Sequence, residues 1–84
     1  MKFISLRVRN AGVLHGYDSN NKEIVEEIPA EEFIEKLIDI GRLQSISEKY
    51  LLVSSSHGRM LYWEYEGGFE ALKARLAKAG LLLD

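Results

Sequence analysis

Cysteine is absent and proline occurs once in the 84 residues. Without Cys there is no disulfide, no thiolate metal site and no thiol nucleophile. The two histidines, His15 and His57, stand far apart with no paired His near either, so no zinc spacing is present and no metal or cofactor is expected. No apolar run reaches the roughly 20 residues that cross a bilayer. The N-terminal stretch meets charge at Arg7, too early for the apolar core of a secretory leader. The expectation is a cytoplasmic protein with no membrane contact. A basic excess is missing too: 11 Lys and Arg face 13 Asp and Glu, a net charge of −2. That excludes a protein that coats DNA.

Motifs of catalysis are equally scarce. There is no Gly-x-x-x-x-Gly-Lys-Ser and no Gly-x-Gly-x-x-Gly phosphate loop. Asp18 and Asp39 are the only Asp residues before the terminal Asp84, and neither has an evident catalytic partner. No Ser-His-Asp arrangement can be argued, so no catalytic residue is assigned and the expectation is that the chain is not an enzyme.

What is present is the composition of a folded domain, 46% hydrophobic and 29% charged, long enough for a single core over residues 1–84. A core this small leaves little stability to spare. Self-association would relieve that shortage, and a homodimer is expected.

Residues 2–9 alternate, with Ile4, Leu6 and Val8 against Ser5, Arg7 and Arg9, the period of a half-buried strand. Asn10, Ala11 and Gly12 have turn chemistry, so 13–17 is read as the returning strand. Asp18 to Asn21 is a second turn cluster, and 22–28 a third strand at an edge or on a solvated face. Pro29 at a first helical position, acidic residues after it, the stripe Phe33, Ile34, Leu37, Ile38 and Ile40 and the stop Gly41 predict an amphipathic helix over 29–40. Strands follow at 42–47, 50–55 and 59–66. Gly67 and Gly68 break the last of these. Phe69, Leu72, Leu76 and Ala79 mark a second amphipathic helix ended by Gly80. The Leu81, Leu82, Leu83, Asp84 tail is expected to pack on the domain or on a partner.

The predicted fold is therefore α+β. An antiparallel sheet of five to six strands carries two amphipathic helices on one face, in the order β-β-β-α-β-β-β-α, with the halves as a topological pseudo-repeat.

Three stretches are candidate sites. The turn Ser54, Ser55, Ser56, His57, Gly58, Arg59 offers hydroxyls, backbone N–H groups and a guanidinium to a phosphate or carboxylate. His57 there has the chemistry of a general acid or base. A three-residue loop at Asn10–Gly12 would set Arg7 opposite His15 and Ser5 opposite Tyr17. Arg7, Arg9, His15 and Tyr17 would then form one basic, aromatic face suited to RNA or an acidic partner. A two-residue loop would divide them between faces. In the strand Met60, Leu61, Tyr62, Trp63, Glu64, Tyr65, alternation sends Leu61 and Trp63 to the helices and Tyr62 to the open face. There Tyr62 serves as a stacking or contact residue.

From Pro29 onward the expected order α-β-β-β-α, with His57 in Ser-Ser-Ser-His-Gly-Arg-Met-Leu-Tyr, resembles double-stranded-RNA-binding domains and small toxin ribonucleases of the HicA type. In the latter a His near the middle strands is catalytic, and the resemblance gives that role to His57.

The leading functional expectation is a small binding or regulatory module acting through protein contact, of the kind encoded as a phage or mobile-element accessory or inhibitor protein. The binding residues would be drawn from His57, Arg59, Tyr62, Arg7, Arg9, His15 and Tyr17. The alternatives are an RNA-binding or HicA-like ribonuclease domain using His57, and a binder of a small anionic ligand such as a nucleotide at the turn from Ser54 to Arg59.

Overall fold

The computed structural model describes residues 2–83; Met1, Asp84 at the end of the Leu tail, and the side chain of Ser56 lie outside the description. The described residues form six strands and one α-helix: β1 Phe3–Tyr17, β2 Glu23–Ile28, β3 Ile34–Asp39, β4 Leu43–Ile46, β5 Tyr50–Ser54, β6 Met60–Tyr65 and α1 Phe69–Lys78. Short 3-10 turns at Ile40–Arg42 and Ser56–Gly58 link β3 to β4 and β5 to β6.

All pairing is antiparallel, and β1 is its centre. Val8 pairs with Ile34 of β3 on one edge and Tyr65 of β6 on the other. Further along, Ala11 to Leu14 pair with β2 and β6 together. So β2 and β3 lie end to end along one edge of β1, and β6, β5 and β4 extend the sheet from its other edge.

One sheet face carries the core. Ile4, Leu6 and Val8 of β1 are buried with Ile38, Leu51, Val53 and Tyr65, and α1 adds Leu72. Trp63, Leu43, Ile46, Ile40 and Leu76 pack around them. The helix is held to β1 where β6 has ended, by Arg75 Nη2 donating to the Ser5 carbonyl at 3.0 Å. It closes at Gly80, whose φ of +75° suits a residue without Cβ. The Gly80 N–H donates to Ala77 and that of Leu81 to Leu76, which satisfies two terminal carbonyls.

Several expectations are corrected. Among the described residues there is one α-helix, not two, and the order is β-β-β-β-β-β-α. The segment predicted as a helix over 29–40 is a loop, residues 29–33, then strand β3. Its apolar residues fit either period, and tertiary context decides. The edge of β1 from Phe3 to Val8 would otherwise hold unpaired N–H and C=O groups, and β3 supplies the ladder. As an edge strand, β3 tolerates exposed Ile34 and Leu37, at 59% and 64%.

Asn10–Gly12 is not a turn. Asn10 takes a φ of +52° as the extra residue of a bulge between Arg9, opposite Glu64, and Ala11, opposite Trp63. The chain bends there and runs on as the same strand. The expected first hairpin, in either register, is therefore absent, and Arg7 and His15 lie along one strand rather than across a pair. With the first helix gone, the pseudo-repeat and the α-β-β-β-α order behind the resemblance to RNA-binding and toxin domains are gone as well. The remaining strands fall near their expected places, and β2 is an edge strand exposed along its whole length. No helix among the described residues is long and apolar enough to cross a membrane.

The core predicts its own sensitivity. Leu51 is fully buried, whereas Leu83 is 97% exposed. Urea unfolding of Leu51→Ala should show a loss of about 2–5 kcal/mol, while Leu83→Ala should stay within about 0.5 kcal/mol of wild type.

Candidate binding groove on the outer sheet face

The face of the sheet turned away from the core is built by the same alternation. Opposite residues across it are Glu27 of β2, Gly12 of β1, Tyr62 of β6 and Leu52 of β5. Gly12 is buried, and its lack of a side chain lets its neighbours close over it. A methyl group built on it would lie 3.1 Å from Val25 Cγ1 and 3.7 Å from Tyr62 Cβ. Even that methyl would crowd Val25, so Val25 and Tyr62 close in at this position. The outer face here carries an open groove of about 530 Å³ lined by Asn10, Ala11, Gly12, Val25, Glu27, Pro29, Tyr50 and Tyr62.

Tyr62 crosses from β6 towards β2, its hydroxyl donating to Glu23 Oε2 at 3.1 Å. Burial raises the pKa of this phenol above its ordinary value, and the hydrogen bond to the Glu23 carboxylate raises it further. The ring is thus held as a fixed neutral wall. Tyr50 sits diagonally from it, opposite Glu64.

One end of the groove is fixed by a polar cluster around the bulge. Asn10 Nδ2 donates to Glu64 Oε1 at 2.8 Å, and its Oδ1 accepts from the Ala30 N–H at 2.8 Å. Arg9 Nη1 donates to the Glu31 carbonyl at 2.9 Å, Nη2 pairs with Glu64 Oε2 at 3.2 Å, and the guanidinium stacks 4.2 Å from the Phe33 ring centre. Its Nε is buried without a hydrogen-bond partner. Arg7 donates to the Phe33 carbonyl and pairs with Glu66 at 3.3 Å. These three residues tie down the loop 29–33 that carries Pro29. The hydrogen bonds from Asn10 and then Arg9 lower the pKa of Glu64 below its ordinary 4.5, against an opposing effect of burial.

The residues singled out in the sequence separate accordingly. Tyr62 is a wall of the groove. Arg7 and Arg9 serve the loop cluster. His15 pairs with Glu26 at 2.9 Å; Glu26 lies opposite Val13, on the core side of the sheet. Tyr17 is exposed beside Glu23 at the far end of β2. His57 and Arg59 lie on the β5–β6 hairpin tip, where His57 has φ of +61° and Ser55 N–H donates to the Arg59 carbonyl. Both are exposed and neither lines the groove.

Sequence reasoning missed Gly12, Asn10, Val25, Glu27, Pro29 and Tyr50. The signal of Asn10 and Gly12 is equally that of a turn. A bulge is the other device that calls for Asn in the left-handed region.

The Glu64 cluster makes a pH prediction. A carboxylate whose pKa is depressed in the folded state stabilises the fold above its ordinary pKa and loses that contribution as pH falls through the folded value. At neutral pH, chemical denaturation should find wild type more stable than Glu64→Gln, and the gap should close as pH drops below 4.5. A gap unchanged in acid would show that ionisation of Glu64 plays no part. No protein-family model, curated protein or solved structure matches the chain.

Proposed function

We propose that this chain is a small binding module acting through protein contact, and that its outer-face groove receives an extended segment of another protein. The reading rests on one observation above the others: the outer sheet face carries an open groove walled by Tyr62 and Tyr50 on one side and Val25 and Pro29 on the other, with Gly12 between them. Tyrosine offers large contact area at low entropic cost and keeps a polar tip for hydrogen bonding. Pro29 and Val25 give the opposite wall an apolar surface, and the Asn10 and Arg9 cluster holds that wall in place before any ligand arrives. Such pre-organisation lowers the entropic cost of docking. Arg7 and Arg9 are engaged by carbonyls and carboxylates of their own chain, which favours the protein-contact reading over one in which they grip a nucleic-acid backbone.

Selection of peptides from a random display library on the wild-type protein tests this. Selected peptides should shift the amide resonances of Gly12, Glu27 and Tyr62. They should bind Gly12→Val and Tyr62→Ala at least about tenfold more weakly, a change of about 1.4 kcal/mol. Lys78→Ala, on the helix, should bind as wild type does. Peptides that bind both groove variants as tightly as wild type would remove the reading.

A further inference from the structure

This inference rests on the groove reading and names the chemistry of its occupant. We propose that the segment is cationic, with lysine or arginine stems lying along Tyr62 and Val25 and their charged heads meeting Glu23 and Glu27.

Positive charge is missing from three of the strands of this sheet. Strands β2, β5 and β6 read EIVEEI, YLLVS and MLYWEY and contain no Lys or Arg. The two arginines of β1 are both committed to the loop cluster. Lys36 of β3 is turned to the core side, 5.0 Å from the centre of the Trp63 ring. Carboxylates, by contrast, stand at the groove itself. Glu27 lines it, and Glu23 accepts the Tyr62 hydroxyl at its β2 side. Lys22 and Lys49 adjoin β2 and β5 but do not line the groove, which presents the Glu27 carboxylate beside two tyrosine rings. Apolar and aromatic walls accept the methylene stem of a long basic side chain, the face of a tyrosine ring attracts the cation, and a carboxylate forms the charge-assisted bond at its end. An acidic segment would meet repulsion at both carboxylates. A second copy of this chain fits poorly at the β2 edge, because self-pairing would bring a further Glu23, Glu26 and Glu27 against the first set.

The test uses three labelled synthetic peptides with one proline–leucine frame, bearing lysines, glutamines or glutamates at the same positions. Each is titrated into the full chain while amide resonances are followed. The lysine peptide is expected to shift Gly12, Glu27 and Tyr62 and to bind at least about tenfold more tightly than the glutamine peptide. It should also weaken several-fold between about 0.05 and 0.5 M salt, where screening shortens the reach of exposed charges. The double variant Glu23→Gln, Glu27→Gln should remove the advantage of lysine over glutamine. Equal binding of lysine and glutamine peptides in the groove overturns the charge inference and leaves the groove reading standing. Binding of none of the three overturns both. Dilution of the free protein separates out self-association: groove resonances that shift on dilution without peptide would identify a second copy as the occupant and contradict the proposal.

Discussion

The architecture depends on a single inserted residue in a single strand. β1 is 15 residues long and pairs with β2, β3 and β6. A strand that long has to bend if one face is to close over a core. The bulge at Asn10 supplies the bend and also resets the alternation. Ile4, Leu6 and Val8 point to the core before it, and Ala11 points there after it, while Gly12 falls on the outer face. If residues 8–12 alternated regularly, with no bulge, Ala11 would face outward and Gly12 inward. The core and the groove are thus two consequences of the same irregularity.

The side chains around the bulge explain why it is held. Asn10 tolerates the left-handed backbone, and its amide then bridges Glu64 on β6 to the backbone of Ala30. Arg9 reaches the same carboxylate and the same loop. One carboxylate on β6 therefore fastens both the bend in β1 and the loop that joins β2 to β3. The apolar interior contributes most of the stability, as burial does in any domain of this size. The polar cluster decides which register the strands adopt and which wall Pro29 lends to the groove.

The second half of the chain was legible in sequence because its signals are local. Gly67 and Gly68 interrupt β6, Gly80 closes α1, and the alternation from Met60 to Tyr65 divides the faces correctly, with Tyr65 buried and Tyr62 outward. The first half was not, for a reason of the same physics. Asn10 to Gly12 has the composition of a hairpin turn, and only the non-local partners on both edges of β1 show that the chain runs straight through. Phe33 to Ile40 carries a helical stripe that serves equally as a two-faced edge strand. The choice between them is made by the unsatisfied edge of β1, residues away in sequence. The groove is hidden from the sequence because Tyr62 of β6 meets Gly12 of β1 through a pairing that sequence order does not bring together.

A nuclear Overhauser spectrum of the protein in solution addresses this account at its root. The Gly12 α-protons should contact both the Tyr62 ring and the Val25 methyls, Val8 should show cross-strand contacts to Ile34 and Tyr65, and residues 34–39 should give the strong sequential α-to-amide contacts of a strand. Loss of the Gly12 contacts, together with a continuous run of amide-to-amide contacts through residues 29–40, would place Gly12 in a turn and that segment in a helix. It would contradict the bulge, the sheet and the groove together.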